Sequence, residues 1–295
     1  MNQTVFVTGA SSGLGRAIAL EYARRHARVI AGVRTPADGE KLAATTPGIA
    51  WVLIDLADPA SIRRAAQEVD AACGARGLSI LVNAAGYAVC APILHTSDDD
   101  VQRLFQVLTF GPAQLANALK PSLARAAQAS GARSKILNIT SWASIDADPF
   151  VGHYAAAKAA LLRFTQAQSY EFDRFGIDSS AIVPGLMKTP FVERAREQIA
   201  RTLQSLSSEA LRDYAVPLER LASLSRSAPG SPLAATPESV ARRIVSISGR
   251  PRLRLRYDLG IDTAIVVWTN RILPSCLLRR AKMAMFHLGA QPRAA

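Results

Sequence analysis

Tyr154 and Lys158 stand four residues apart, and Ser141 precedes the tyrosine by thirteen residues. On a helix, positions i and i+4 share a face, so the phenol and the ammonium can project into one site. A nearby cation stabilises a phenolate and lowers a tyrosine pKa from its reference value of about 10. The pair would then serve as a general acid/base, while the Ser141 hydroxyl could hold a substrate oxygen. Alone, a tyrosine and a lysine at this spacing are more often an exposed helical pair.

A glycine-rich turn lies near the N-terminus, where a predicted strand over residues 4–8 leads directly into a predicted helix over 13–25. Glycines let the backbone approach a pyrophosphate, and the helix N-terminus supplies unpaired N–H donors for the anion. The turn therefore predicts dinucleotide binding, although an ordinary glycine turn that binds no ligand can have the same sequence. Its candidate cofactor-binding residues are Gly9, Ser11, Ser12, Gly13, Leu14 and Gly15.

The end of the second predicted strand bears on the choice of dinucleotide. Folds of this kind commonly place an acidic residue there for the adenosine ribose, whereas a basic residue accommodates a 2′-phosphate. This chain has Arg34 at that point and no carboxylate, and Ser12 offers a second phosphate contact. The sequence predicts NADP rather than NAD, the alternative being that Arg34 is simply solvated. Further candidates at the carboxyl ends of strands are Asp55, Leu56, Asn83, Ala84, Ala85 and Gly86.

Apolar, β-branched runs alternate with stretches of helical spacing over the first 190 residues, which predicts an α/β protein with a parallel sheet. Predicted strands cover 4–8, 28–33, 50–55, 79–83, 135–140, 178–183 and 252–257, and predicted helices cover 13–25, 61–73, 98–128, 154–175 and 237–248. The alternation stops over 190–235, which we interpret as a substrate-covering insertion. Residues 258–295 are predicted to be a C-terminal helical extension of the same single domain, 1–295.

Composition limits the possible partners. Thirty-five Lys and Arg residues against 23 Asp and Glu give a formal net charge of +12, which suits a phosphorylated cofactor, a nucleic acid or an acidic membrane surface. No zinc-finger pattern or paired aromatic and basic motif is present, so we expect no nucleic-acid partner. The histidines and the three separated cysteines give no metal-ligand spacing, so no metal is expected either.

Targeting and membrane signals are weak. The chain opens on a predicted strand rather than a secretion signal, and its apolar runs are too short to span a bilayer, so we expect a cytoplasmic protein. The apolar and basic segment 265–286 could lie on an anionic membrane surface. Burial of that segment inside the protein or in a dimer is the favoured expectation.

These motifs together resemble the short-chain dehydrogenase/reductase family over nearly the whole chain. The glycine turn fits TGxxxGxG, residues 83–86 fit its NNAG variants, and Ser141, Tyr154 and Lys158 fit its serine followed by YxxxK. Pro184, Gly185 and Thr189 fit its PGxxxT, which meets the nicotinamide carboxamide. The resemblance implies a Rossmann-type doubly wound sheet, Tyr154 as acid/base, Lys158 on the nicotinamide ribose and Ser141 orienting the substrate oxygen. The pattern is most similar to the hydroxysteroid and retinol dehydrogenase branch.

One position departs from the family pattern. Leu108 stands where the family usually has an asparagine that holds a water of its proton relay, and Thr109 is a nearby candidate substitute. We expect an NADP(H)-dependent oxidoreductase acting on a lipophilic ketone or secondary alcohol, as a homodimer or homotetramer formed through 98–128 and 154–175. The alternatives are a drifted member that binds cofactor as a regulatory protein and a non-redox enzyme that uses Tyr154 as a base.

Overall fold

The computed structural model describes residues 3–227 and 230–289, in which seven parallel strands form one sheet in the order β3-β2-β1-β4-β5-β6-β7. The strands are β1 (Thr4–Thr8), β2 (Arg28–Val33), β3 (Ile49–Leu53), β4 (Ile80–Asn83), β5 (Ser134–Ile139), β6 (Ile177–Pro184) and β7 (Arg256–Leu259). The predicted parallel sheet is confirmed. Parts of two predictions, residues 228–229 of the insertion and 290–295 of the extension, lie outside the described residues, as do residues 1–2.

Helices follow the strands and cover both faces of the sheet. They are α1 (Gly13–Arg24), α2 (Pro36–Thr45), α3 (Pro59–Cys73), α4 (Asp98–Phe105), α5 (Gly111–Ser130), α6 (Gly152–Phe172), α7 (Pro190–Ser205), α8 (Ser208–Ser227), α9 (Pro237–Ser248), α10 (Ile261–Ile272) and α11 (Ser275–Met285). Capping side chains fix several starts: Thr35, Asp58 and Thr236 each accept a first-turn N–H and precede a proline suited to the first helical position. Helix α2 is absent from the sequence-based prediction.

The strand order reverses direction between β1 and β4, which is the topological switch point of a doubly wound sheet. Strands β1, β4, β5 and β6 are buried along their whole length, as expected for strands covered on both faces. One apolar core lies between the sheet and the α1 and α9 side, and the other lies between the sheet and the α3 and α5 side. The carboxyl ends of β1 and β4 therefore meet at one edge, where ligands of such folds bind.

The last strand differs from its prediction. Residues 252–257 alternate arginine with other residues, which predicts a strand with its arginines on one face, but β7 begins only at Arg256. The preceding residues are held outside the ladder because Asp178 accepts the backbone N–H of Leu253 at 2.9 Å and forms part of an ion-pair cluster with Arg252. The arginines therefore do not share one strand face.

Among the described residues, the segments predicted as insertion and extension are mostly helical. Helices α7 and α8 pack on Phe150 through Ile199, Leu218 and Leu221, and Phe286, just after α11, is buried in the same cluster. The rest of the C-terminal pair corrects the expectation of internal burial, because Thr263 is the one buried residue of α10 and α11 has none. None of the described helices combines the length and apolar character needed to cross a bilayer.

Candidate active site

In the glycine turn between β1 and α1, backbone atoms pack directly against other backbone atoms. Gly9 has φ +68°, and a Cβ added there would lie 2.7 Å from the Cα of Ala85. A Cβ on Gly15 would lie 2.3 Å from the carbonyl oxygen of Gly9. The Ala10 N–H donates to the carbonyl of Gly32 at 3.1 Å, which ties the turn to the end of β2. These distances require glycine at positions 9 and 15 for steric reasons alone.

The N-terminus of α1 opens beside this turn with its first donors uncapped. Ser12 is the N-cap residue, and its hydroxyl accepts no first-turn N–H. Gly13 has φ +57°, and a Cβ added there would meet no atom of the described chain within 4 Å, so the space in front of it is open. Free N–H groups and a helix dipole facing open space suit a phosphate. The residues therefore fit the pyrophosphate of a dinucleotide.

Thr8 links the turn to the segment that follows β4. Its buried hydroxyl accepts the backbone N–H groups of Ala84 and Ala85 at 3.1 and 3.2 Å, and so holds that segment beside Gly9. The side chain of Asn83 points into the sheet instead, where its amide donates to Asn138 at 2.7 Å. The amide of Asn83 is thus committed to the sheet, while its Oδ1 is buried and has no hydrogen-bond partner among the described residues. Thr8, which precedes Gly9 in the motif, is a positioning residue that sequence reasoning missed.

The residues predicted to surround the adenosine lie at the ends of β2 and β3. Arg34 is exposed, and within the described part of the chain no carboxylate forms an ion pair with it. Asp55 accepts the N–H of Ala57 through Oδ1 at 2.9 Å, and Leu56 is buried. The carbonyl of Val33 accepts the N–H of Ile54 at 2.8 Å, which brings the two strand ends together. Arg34 is therefore available to an anion.

Tyr154 and Ser141 come together at the carboxyl end of β5. Ser141 caps a 3-10 turn and accepts the N–H of Ala143, while Tyr154 lies in the first turn of α6 and is buried. Burial raises the pKa of Tyr154 to about 12, and its hydrogen bond with Ser141 only partly opposes that effect. The expected lowering of the tyrosine pKa is thus not observed. The phenol keeps its proton at neutral pH, as a general acid must, although burial makes it a weaker acid than a free tyrosine.

Lys158 lies one turn along α6, buried under the site. Its Nζ donates to the carbonyl of Ile139, the last residue of β5, at 2.8 Å. Burial lowers the pKa of this lysine to about 8, because the charged form is poorly solvated. The amine is directed to the strand end and is not among the groups that shift the pKa of Tyr154. This arrangement leaves a lysine whose charge changes close to physiological pH.

Leu108 fills the space next to Lys158. It is fully buried in a π-helical turn, Gln106–Phe110, which joins α4 to α5. A Cβ on Gly86 would lie 3.1 Å from Leu108 Cδ2 and 3.6 Å from Lys158 Nζ, so both side chains border the same glycine. Thr109 donates its hydroxyl proton to the carbonyl of Ala157 at 2.9 Å. The predicted substitute for the missing asparagine is therefore engaged elsewhere, and an apolar side chain occupies this region.

The Pro184–Thr189 segment closes the site from the β6 side. Asp262, at the start of α10, accepts the backbone N–H of Leu186, and a Cβ on Gly185 would lie 2.1 Å from its Oδ1. Thr189 then begins α7 without using its hydroxyl as a cap. Asp262 is a second positioning residue that the motifs did not reveal, because it lies 76 residues along the chain from its partner.

Helix α7 reaches the site at two points. The ring of Phe191 lies 5.8 Å from that of Tyr154, between centroids. Arg194 Nη2 donates to the hydroxyl of Ser12 at 3.2 Å, so a cation from this helix stands at the N-terminus of α1. Sequence reasoning missed Arg194, because nothing local in an arginine-rich helix distinguishes it from its neighbours.

Comparison with known proteins agrees with this geometry. The family model for short chain dehydrogenase matches residues 3–200. Human retinol dehydrogenase 5 is 35% identical over 207 residues, covering 69% of this chain and 62% of that protein, so the match spans less than two thirds of that relative. The Escherichia coli protein named uncharacterized oxidoreductase YbbO is 31% identical over 276 residues, covering 93% of this chain and 91% of its own length.

A solved short-chain dehydrogenase from Streptomyces avermitilis superimposes with a TM-score of 0.75 at 23% identity, covering 99% of each chain. Because the superposition covers 99% of this chain, the likeness in fold extends beyond residue 200. Sequence motifs, family match and fold all agree, and the chain therefore belongs to the short-chain dehydrogenase family.

Proposed function

We propose that this protein is an NADPH-dependent reductase of lipophilic ketones or aldehydes, able to catalyse the reverse oxidation of the alcohol. The observation that carries the proposal is the hydrogen bond between Tyr154 and Ser141 at the sheet edge, which α7 links to the uncapped N-terminus of α1. When bound, the nicotinamide cofactor supplies or accepts the hydride. The chain's own residues then bind the substrate oxygen and move its proton.

The pKa directions suit reduction. Tyr154 Oη carries a proton at neutral pH and donates it to the carbonyl oxygen as the carbonyl carbon becomes an alcohol carbon. Ser141 Oγ hydrogen-bonds the same oxygen. We infer that the Lys158 ammonium turns from the Ile139 carbonyl toward Tyr154 when the phenolate forms, since in the resting site it does not shift the pKa of the phenol. In the reverse direction the same phenolate removes the alcohol proton.

The preference for NADPH rests on Arg34 and the charges around it. Arg34 is exposed at the end of β2, directly next to the glycine turn, and its planar guanidinium can bind a 2′-phosphate through two hydrogen bonds. Ser12 offers its hydroxyl as a second contact beside the same turn. Arg194 stands at the N-terminus of α1, where it would meet the pyrophosphate that both dinucleotides share. A nicotinamide dinucleotide without the 2′-phosphate would leave Arg34 unused.

The lipophilic substrate class rests on the walls of the site. Tyr154 belongs to a cluster with Val89 and Ala143, and Trp142 and Phe191 pack against it. Helices α7 and α8, which carry Phe191 and cover Phe150, form the substrate-covering insertion in this proposal. Human retinol dehydrogenase 5 is named for retinol, an apolar alcohol, which agrees with these walls.

A second candidate, a cofactor-binding protein without turnover, is favoured by Leu108. Its buried side chain stands beside Lys158 where the resemblance places a water-holding asparagine, and Thr109 does not replace it. In this alternative the dinucleotide binds and no carbonyl is reduced.

Cofactor oxidation with a panel of lipophilic ketones and aldehydes tests the proposal, using NADPH and NADH in parallel. Tyr154→Phe should lower turnover by about a hundredfold to ten-thousandfold, the usual contribution of a general acid, while leaving the Kd for NADPH unchanged. Tyr170→Phe, on the exposed surface of the same helix, is the matched control. NADPH binding without turnover of any carbonyl would favour the second candidate, and product formation without cofactor oxidation would indicate a non-redox enzyme.

Arg34→Ala tests the cofactor preference separately. Loss of a charged hydrogen bond costs about 1.5–3 kcal/mol, so the Kd for NADPH should rise by about tenfold or more while that for NADH stays constant. An equal effect on both cofactors would contradict the role proposed for Arg34.

We also infer self-association through α5 and α6. Phe164 and Tyr170 are exposed on α6, and Phe110 is exposed just before α5. Molar mass measured by light scattering tests this, and Phe164→Ser with Tyr170→Ser should shift the protein to monomer.

A further inference from the structure

The C-terminal helices expose an apolar stripe. On α10, Ile261, Ile265, Trp268 and Ile272 are between 51% and 68% exposed, and their spacing of four, three and four residues places them on one side of the helix. Leu273, Leu277 and Met285 extend the exposed apolar surface along the connection and α11. We call these seven residues the apolar stripe. Large exposed apolar surface in one place marks an interaction site.

The opposite side of the helical pair is docked firmly on the protein. Asp262 accepts the N–H of Leu186, and Thr263 is buried. Lys282 forms ion pairs with Asp146 at 2.8 Å and Asp148 at 2.5 Å. These contacts fix the orientation of the helical pair. The apolar stripe therefore faces outward because of the way the pair is held, and not because the helices have separated from the protein.

Unpaired positive charge accompanies the stripe. Arg271, Arg279 and Arg280 are exposed, and none forms an ion pair within the described residues. The one acidic residue of the pair, Asp262, is turned inward to Leu186. The outer surface of α10 and α11 therefore combines apolar side chains with cations and offers no carboxylate.

We propose that this surface binds an anionic lipid bilayer, with α10 and α11 lying in the plane of the interface. An apolar face with arginines and a tryptophan at its border is the composition of interfacial helices, in which the apolar side chains enter the acyl boundary and the cations meet lipid phosphates. A second copy of the chain is a poorer occupant, because it would bring the same three arginines and no acidic partner. The proposal concerns a surface and does not depend on the reaction catalysed.

The surface is attached to the candidate active site. Lys282 holds α11 to residues 146 and 148, which lie between Ser141 and Tyr154, and Asp262 holds α10 to the Pro184–Thr189 segment. A bilayer bound at the stripe would therefore contact the outer side of the two helices whose inner side holds the elements that carry the catalytic groups. For a lipophilic substrate, as proposed, binding would hold the active site near the phase in which the substrate dissolves.

Vesicle flotation with the purified full chain tests the proposal, using phosphatidylcholine alone and phosphatidylcholine mixed with phosphatidylglycerol. We expect flotation with the mixed vesicles, a blue shift of tryptophan emission that Trp268→Ser removes, and binding at least about tenfold weaker to neutral vesicles, since each basic residue contributes at an anionic surface. Ile265→Ser with Trp268→Ser should abolish flotation, whereas Leu94→Ser, which alters an exposed apolar residue elsewhere, should not.

A second set of variants changes the charge of the surface rather than its apolar residues, and so tests the proposal independently. Replacing Arg271, Arg279 and Arg280 by Gln should weaken binding to mixed vesicles by about tenfold or more. The control replaces the exposed Arg63, Arg163 and Arg243 by Gln, which lowers the net charge equally and should leave binding intact. Absence of flotation, or equal losses in both triple variants, would overturn the proposal. A dimer that dissociates on Ile265→Ser with Trp268→Ser, without vesicle binding, would assign the surface to self-association instead.

Discussion

At the carboxyl edge of the sheet, Tyr154 and Lys158 are buried among apolar side chains, and burial moves the pKa of one up to about 12 and of the other down to about 8. On α10, by contrast, Ile265 and Trp268 face outward beside unpaired cations. In the first region, apolar side chains enclose two polar groups inside the protein. The second leaves them on the surface, where only something outside the chain can cover them.

The two regions therefore contribute differently to the free energy of unfolding. Contacts at the sheet edge are made within the chain, so changes there should alter folding, cofactor binding and proton transfer together. The apolar stripe makes few contacts within the chain, so changes there should alter association and little else.

Gly15→Ala should produce the largest effect. A Cβ at this position would lie 2.3 Å from the backbone oxygen of Gly9, and backbone atoms cannot move aside without opening the turn. We expect loss of measurable NADPH binding, read by titration calorimetry, together with a lowered Tm.

The matched control is Gly249→Ala, at the C-terminal end of α9. Its φ is −76°, and an added Cβ would make only an ordinary contact of 3.4 Å with the Ser246 carbonyl oxygen. This variant should bind NADPH as the unaltered protein does. If Gly15→Ala bound NADPH normally, the close-packed turn would not be needed for the site.

Local features of the edge were predictable from sequence, and features that depend on distant partners were not. The glycine turn and the Tyr154 and Lys158 pair are defined by spacing within a few residues, so their pattern carries the geometry. Thr8, Asp262 and Arg194 act on segments 76 to 182 residues away, and no local spacing marks them.

Two other differences arise where a local pattern is misleading. The alternating arginines before β7 imitate a strand, but the carboxylate of Asp178 holds Leu253 outside the ladder. The helix predicted over 98–128 contains a π-helical turn at Leu108, and such turns are common at functional sites. Tyr154 is buried in the same apolar cluster as Leu108, and its own burial raises its pKa. Spacing predicts which charges are near a group but not how much water is excluded from it.

Turnover should depend on the ionisation of Lys158, which is the next largest effect. The ammonium is lost as pH rises through its pKa of about 8, so kcat/KM for reduction should be level below about pH 7 and fall about tenfold per unit well above 8. Tyr154 does not cause this decline, because its pKa is about 12. The measurement is a pH profile of reduction, with the NADPH Kd determined at each pH. A profile that stays level to pH 9, with unchanged binding, would contradict it.

Arg194→Ala should have a smaller effect, because the side chain is exposed and solvent screens its charge. We expect the Kd of NADPH and of NADH to rise together by about two- to fivefold at low salt, and the difference to shrink as salt is added. Titration of both cofactors checks this, with Arg196→Ala on the same helix as control. A rise in the Kd of NADPH alone would indicate that Arg194 binds the 2′-phosphate rather than the pyrophosphate.

Trp268→Ser should have the smallest effect on the free energy of unfolding, within about 0.5 kcal/mol in the absence of lipid, because the indole is 60% exposed. Phe286→Ala supplies the contrast, since its ring is buried at 1% exposure and its loss should cost about 3–5 kcal/mol. Urea denaturation of both variants measures the two values. A large loss of stability in Trp268→Ser without vesicles would mean that a second copy of the chain already covers the apolar stripe in solution. The stripe would then contribute to the free energy of unfolding as the sheet edge does, and the two regions would no longer differ in this respect.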